Sequence, residues 1–402
     1  MLSSRLIAAL VAGLLVLGLA ACGSNDEVGT AASSSGSSGS SESSGSSGGS
    51  DDAEDADSAL LPLPEIDKSN GLTIAGEVVA DKALYDAALE EGEMTLYSSA
   101  TQETEDLSNA RFTEETGIKV NFTRLPGSKL TERVLSEHGA GRLGAQVIRS
   151  SDPAAGAEFA AEGIFVPYET QAQDDLASAE GVLQAENRLL TPFYAAYVIA
   201  YNPELVTGDS IPTSWADLVS DEWAGGKLGM VNAGAGGTTT GLAHFHIEKF
   251  GVDYLKQMGA LKPRIFDTTS VQLEAMARGE IAVGPVGATS GFSVQVTGAP
   301  IKISIPQDGV SGVPYSMGLT PAGEKSAAAK VFMNWTMSQS GQAFAAAQGY
   351  VPSRPGLPPQ KTGDQQLPAA DSSGFSVFTA EDAKNYAEKD IKTWNEAIGY
   401  LG

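Results

Sequence analysis

From Leu6 to Ala20 the chain is an unbroken run of small and apolar residues, preceded by Arg5. Residues 23–58 are the reverse, almost all Ser, Gly, Ala, Asp and Glu. Such a segment has nothing to bury and is expected to be disordered. Apolar positions return near Leu72. Asp81 predicts the cap of a short helix from Lys82 to Leu89. Met94–Tyr97 reads as a buried strand, followed by the polar loop Ser98–Thr101. The next helix spans Glu103 to Glu115, with Leu107, Ala110 and Phe112 among its apolar positions and Gly117 after its end. Ile118, Val120 and Phe122 alternate with Lys119 and Asn121, which predicts a strand. Lys129–His138 reads as a helix and Ala145–Arg149 as a third strand. Asp152 and Pro153 occupy the cap and first position of a helix ending near Gly163.

This alternation predicts an α/β fold, with a parallel sheet flanked by helices on both faces. In such sheets ligands gather at the carboxyl ends of the strands. Further on, Thr191–Tyr201 is an aromatic β-rich stretch closed by Asn202-Pro203. A short helix is expected around Trp215, within Pro212–Val219, and a strand over Gly226–Val231. The glycine-rich Ala233–Gly237 leads into a helix that opens at Thr238–Thr240 and ends at Gly251. Ser270 is read as the cap of a helix through Arg278. Strands are expected at Ile281–Val283 and Ile301–Ile305, and helices at Glu324–Met337 and Ala380–Ala397.

Composition changes the picture at the N-terminus. A basic flank, an apolar run too short to span a bilayer comfortably and small residues before a cut site describe a secretory signal peptide over residues 1–21. The only cysteine of the 402 residues ends Leu19-Ala20-Ala21-Cys22. That stretch resembles the lipobox of bacterial lipoproteins, which implies lipidation of Cys22 and attachment to the membrane through that lipid. Residues 22–58 then form the lipidated Cys and its tether, with an r.m.s. reach of roughly 30–36 Å for a Gly/Ser coil. With Cys22 taken by lipid, the body has no disulfide and no thiolate metal site. The net charge of −25 argues against nucleic acid and anionic membrane surfaces as partners.

Several fragments carry a family likeness. Gly92–Ser99 followed by Phe112–Val120, then Glu162–Tyr168, Val198–Pro203, Pro212–Leu218, and Ala329–Trp335 with Ser340-Gly341-Gln342 together resemble extracellular solute-binding proteins of bacterial ABC importers. The nearest branch resembles ferric-ion-binding proteins. The resemblance implies a two-lobed periplasmic-binding-protein fold of type II. Each lobe is a mixed sheet flanked by helices, with a ligand cleft between lobes and hinge closure. It implies crossings near Ala195–Val198, Ile305 and Ser338. One lobe is then 70–196 with 305–338, and the other 197–304 with 339–402. It further implies a monomer on the extracytoplasmic face that binds a small molecule, delivers it to an ABC permease, and uses neither a catalytic step nor a cofactor.

Four junctions are expected to face the cleft: Ser98-Ser99-Ala100-Thr101, Arg149-Ser150-Ser151-Asp152, Ala235–Thr239, and Gly287–Ser290. Small and hydroxyl residues at helix starts offer N–H and O–H donors. The ligand-binding set is therefore Ser98, Ser99, Thr101, Arg149, Ser150, Ser151, Gly236, Gly237, Thr238, Thr239, Thr289 and Ser290, with Tyr194 and Tyr197 on the cleft wall. That chemistry suits an oxoanion such as an organic phosphate, phosphonate or carboxylate. Arg149 either adds a forked charge partner or is an ordinary surface arginine at a strand end.

Ferric iron or a polyamine is the alternative cargo. The paired tyrosines of the ferric branch correspond here to Thr289 and Ser290, its acidic ligand falls near Ser151 and Asp152, and its early histidine near Ala100 or Thr101. Neutral hydroxyls hold Fe³⁺ far less well than phenolates, so no metal site is expected. Gly234–Thr239 approaches a dinucleotide fingerprint but lacks its third glycine. His138, His244 and His246 lack metal spacing. A secreted hydrolase on a similar scaffold is the alternative of another class. It needs a partner to activate Ser290, and no G-x-S-x-G elbow supplies the context.

Overall fold

A computed structural model describes residues 61–401. The expected signal peptide, Cys22 and the whole tether to residue 58 lie outside the described residues. After a small antiparallel sheet (Ile66–Asp67, Leu72–Ile74, Glu77–Ala80) and a helix over Lys82–Glu91, the chain forms strand β1 (Glu93–Ser98) and helix α1 (Gln102–Thr116), then β2 (Lys119–Arg124), α2 (Gly127–Gly139), β3 (Val147–Ser150) and α3 (Pro153–Ala161). These strands pair in parallel, β1 lying between β2 and β3. The punctuation expected from sequence does its work. Gly117 adopts φ 86° at the end of α1, where a left-handed residue lets the last carbonyl be satisfied. Asp152 accepts from the Ala154 and Ala155 N–H groups at the start of α3, with Pro153 first in the helix.

The second half contributes β4 (Phe193–Tyr201), α4 (Gly237–Phe250), β5 (Val283–Gly287), α5 (Ala288–Val296), β6 (Val310–Pro314), β7 (Ser316–Leu319) and a long closing helix α6 (Ala380–Ile398). Two six-stranded sheets result. The first runs β2-β1-β3-β7, then Leu189–Leu190 and Leu183–Gln184; β7 is antiparallel to β3. The second runs β5-β4-β6-Phe375–Val377, with Lys302–Ser304 and Val351–Pro352 also paired to β4. Each sheet has its own apolar core, one built around Leu96, Phe112 and Phe332, the other on the two faces of β4.

The chain leaves the first sheet after Leu190 and enters the second at Phe193; it returns at Tyr315, between β6 and β7. These passages fall before the Ala195–Val198 and beyond the Ile305 positions expected from sequence. The reason is that β4 is one continuous strand buried on both faces, so its uniform apolar pattern contains no mark of the change. Smaller corrections have equally local causes. Thr268, whose hydroxyl accepts from the Val271 N–H, caps the helix assigned to Ser270. The strand expected at Ile281–Val283 runs Val283–Gly287 because its partner residues are Tyr201 back to Tyr197. The predicted helix at Glu324 begins at Ala327, after a 3-10 turn over Gly323–Lys325.

Candidate functional site

The carboxyl ends of β1 and β3 lie side by side, since Ser98 is in register with Arg149. The loops that follow are tied together. The Ser99 hydroxyl accepts from the Ser151 N–H at 2.7 Å and donates to Ser151 Oγ at 3.0 Å. Ser98 is fully buried; its hydroxyl donates to Glu105 Oε1 at 2.5 Å and accepts the Ala100 N–H. Ser150 accepts the Asp152 N–H at 3.1 Å. Thr101 caps α1 through the Thr104 N–H, as Asp152 caps α3. On this side of the cleft the starts of α1 and α3 are thus closed by their own side chains, while α2 follows Pro126 with no side-chain cap.

Arg149 is neither a surface residue nor directed at the cleft. It is 2% exposed. Its Nη1 donates to both carboxylate oxygens of Glu105 at 3.0 and 3.1 Å. The guanidinium lies over the rings of Phe193 and Phe332, at 5.3 and 5.4 Å from their centroids. Its charge is matched inside the protein, where a lone cation would be strongly disfavoured.

The opposite side is built differently. Helices α4 and α5 follow Gly236 and Gly287, and neither residue provides a side-chain cap. Their first-turn N–H groups are therefore open to an acceptor from outside the helix. Thr239 is buried, with its hydroxyl accepting the Gly236 N–H at 3.1 Å and lying within bonding distance of the Ala233 carbonyl. Thr238 is half-buried, and burial pushes the Tyr197 phenol up to about 12. Tyr197 is in register with Gly287 just before α5. Tyr194 sits on the other face of β4, edge-on to Phe375 at 5.8 Å; with a period of two, residues three apart point oppositely.

The two sides meet. A methyl group on Gly237 would lie 2.6 Å from the Ser151 carbonyl oxygen and 2.9 Å from Asp152 Cα. Helices α1 and α5 are also in contact. Ser99, Ser151, Gly236, Gly237, Thr238, Tyr197 and the Gly287–Ser290 turn are thereby linked around one interlobe region. Ser98, Arg149 and Thr239 are buried beneath it, the Tyr197 ring is likewise buried in the core of the second sheet, and Tyr194 faces away. Gly237→Ala is expected to force α4 from α3 and to lower stability by about 1–3 kcal/mol. A thermal melt matching the parent protein would show that these helix ends are apart in solution.

Sequence reasoning missed the floor of this region. Phe193, Tyr315 and Tyr350 form an aromatic cluster with centroids 4.0–5.5 Å apart, at the chain's passages between sheets. Burial raises both phenols, Tyr350 to about 12, so they are neutral at physiological pH. Only the pairing of distant segments reveals this cluster. Two cavities, of about 500 and 350 Å³, lie elsewhere, beside Arg354 and beside Trp223.

Two of the three histidines, His244 and His246, are packed into the second lobe. His244 Nδ1 lies 2.7 Å from Asp390 Oδ2, a bond that raises its pKa, while His246 is fully buried among aromatic rings. Among the described residues no group of three or more His, Cys, Asp or Glu side chains is placed to hold a metal ion. No helix among them is long and apolar enough to cross a membrane.

Known proteins agree with this architecture. Iron uptake protein A1 of Synechocystis is 33% identical over 150 residues, covering 36% of this chain and 39% of that protein. The structure resembles iron-bound HitA from Pseudomonas aeruginosa with a TM-score of 0.59 and 19% identity, covering 76% of this chain and 99% of HitA. It resembles the periplasmic binding protein AfuA from Actinobacillus pleuropneumoniae, with fructose-6-phosphate bound, at a TM-score of 0.59 and 17% identity over 77% of this chain and 100% of AfuA. At these identities the structural likenesses establish the two-lobed fold. Residues 92–343 match the family described as bacterial extracellular solute-binding protein, and the chain belongs to that family.

Proposed function

We propose that this solute-binding protein of the ABC-importer class captures a small oxoanion, an organic phosphate, phosphonate or carboxylate, between its lobes. One observation carries the reading. In the first lobe α1 and α3 are closed by Thr101 and Asp152 and α2 follows Pro126, whereas α4 and α5 both open on glycine with no side-chain cap. An anion placed there satisfies N–H groups that nothing else in the helices satisfies, aided by the helix dipoles. The hydroxyls of Ser99, Ser151, Thr238, Thr289 and Ser290 add donors of the right kind. Lobe closure removes water from these bonds and strengthens them. Cys22, through its lipid, keeps the body near the permease and raises its effective concentration there.

Thermal melts with fructose 6-phosphate, methylphosphonate, citrate, spermidine and ferric citrate test the reading. A ligand at a hundred times its Kd adds about 2.7 kcal/mol to stability. A rise in Tm with a phosphate, phosphonate or carboxylate is expected; a rise with spermidine alone would refute an anion site. Ferric cargo is the second reading, favoured by the similarity to Iron uptake protein A1. It predicts a visible tyrosinate-to-iron charge-transfer band. The start of α5 has Thr289 and Ser290 in place of phenols, which disfavours it.

A further inference from the structure

We propose that Arg124 is the cationic partner of the captured anion, a role for which the sequence had suggested Arg149. This rests on the oxoanion reading above and adds a specific residue to it. Arg124 is the last residue of β2, in parallel register with Ser98 of β1. The Leu125 N–H donates to the Ser98 carbonyl at 2.9 Å, which holds the end of β2 beside the Ser98–Thr101 loop. Arg124 Nε donates to the Ala100 carbonyl at 3.4 Å. That bond sets the guanidinium against the turn that starts α1, one residue from the Ser99 that bonds Ser151.

The rest of its hydrogen-bonding capacity is open. Arg124 is exposed, and among the described residues its guanidinium has no carboxylate within ion-pairing distance. The chain has 50 acidic residues to 25 basic ones, and seven other arginines, Arg111, Arg133, Arg149, Arg188, Arg264, Arg278 and Arg354, are each paired with an acid; Arg142 is also unpaired among the described residues but lies in the loop before β3, at the amino edge of the sheet. An arginine left unpaired in such an excess of acid, at the carboxyl edge of a parallel sheet, is placed where ligands of this architecture bind. Lys129, nearby at the start of α2, is paired with Glu132. Guanidinium presents a planar fork that fits two oxygens of one phosphate, phosphonate or carboxylate group. The captured solute therefore has an exposed anionic head group with two free oxygens, one face of which meets Arg124.

Calorimetric titration of the full chain with fructose 6-phosphate and with methylphosphonate tests this, using Arg124→Gln and Arg124→Lys beside the parent protein. Loss of one charged hydrogen-bonding partner is expected to weaken binding roughly 10- to 100-fold in Arg124→Gln. Arg124→Lys is expected to fall between, because a point charge replaces the fork. The melting temperature of the unliganded variants is expected to match the parent, since Arg124 makes no ion pair. If the parent binds a probe and Arg124→Gln binds it equally well, Arg124 is not the partner, although the oxoanion site stands. If the parent binds neither probe and citrate leaves its Tm unchanged, the oxoanion reading falls and the assignment of Arg124 with it.

Discussion

Replacing Arg149 by Met is expected to lower the unfolding free energy by about 3–5 kcal/mol, the effect of stranding a buried charge. Glu105 is buried, and Arg149 Nη1 donates to both of its oxygens. Without the guanidinium, the carboxylate retains the Ser98 hydroxyl at 2.5 Å as its side-chain donor, too little to replace a full charge partner. A typical domain has only about 5–15 kcal/mol in total, so the single variant stands close to the limit of folding. The double variant Arg149→Met with Glu105→Leu separates the pair's role from simple misfolding. It removes both charges at once and is expected to recover most of the loss. Urea unfolding at pH 7 measures both proteins. A loss below about 1 kcal/mol in the single variant would place the pair in solvent-like surroundings. Because Arg149 is beneath the cleft, the double variant is also expected to keep its ligand affinity, the opposite of what a ligand-contacting arginine would show.

Acid is expected to destabilise the protein through His246. This imidazole is fully buried, with neither ring nitrogen hydrogen-bonded. Trp215, Tyr254, Phe245 and Phe250 surround it at centroid distances of 5.0–6.2 Å. Burial lowers its pKa from 6.5 to about 3. Between these values the unfolded chain binds a proton that the folded chain does not. The stabilisation is therefore complete above the unfolded pKa and is lost as pH falls from 6.5 toward 3, by roughly 5 kcal/mol over the whole window. His246→Leu removes the titration and two unsatisfied polar atoms. At pH 7 it is expected to match or exceed the parent in stability. At pH 4.5 it is expected to exceed it by roughly 2–3 kcal/mol, with the carboxylate contribution common to both proteins. Denaturant unfolding at the two pH values checks this; parallel pH profiles for the two proteins would mean that His246 takes up a proton in the folded state.

Legibility in the sequence followed how local each feature is. The caps at Asp81 and Asp152 and the left-handed glycine at position 117, which the sequence marked, depend on neighbours two to four residues away. The inner face of α1 was not legible. It buries Glu105, Asn109, Arg111, Phe112 and Glu115, while Leu107 is exposed, so a hydrophobic pattern misplaces the face. Those polar groups are tolerated because each charged one finds a partner: Glu115 has Arg111 one turn away and the distant Trp335, and Glu105 has the distant Arg149. At the site, the hydroxyl-rich junctions were visible as strand ends followed by helix starts. Which hydroxyls are free was not visible, because that depends on contacts such as Ser99 with Ser151 across 52 positions.

By itself the sequence determined the alternation of strands and helices, the parallel pairing of β1, β2 and β3, and the chemistry at the strand ends. These follow from periodicity and capping, which act over a few residues. Tertiary structure alone decided that Arg149 faces inward to Glu105 while Arg124 remains unpaired at the edge. It also decided that Tyr194 and Tyr197 divide between two faces, and that Gly237 brings α4 against Ser151. Each of these is a question of which distant segments share a boundary. Burial, charge pairing and close approach are set by that boundary, and no short-range pattern in the chain encodes it.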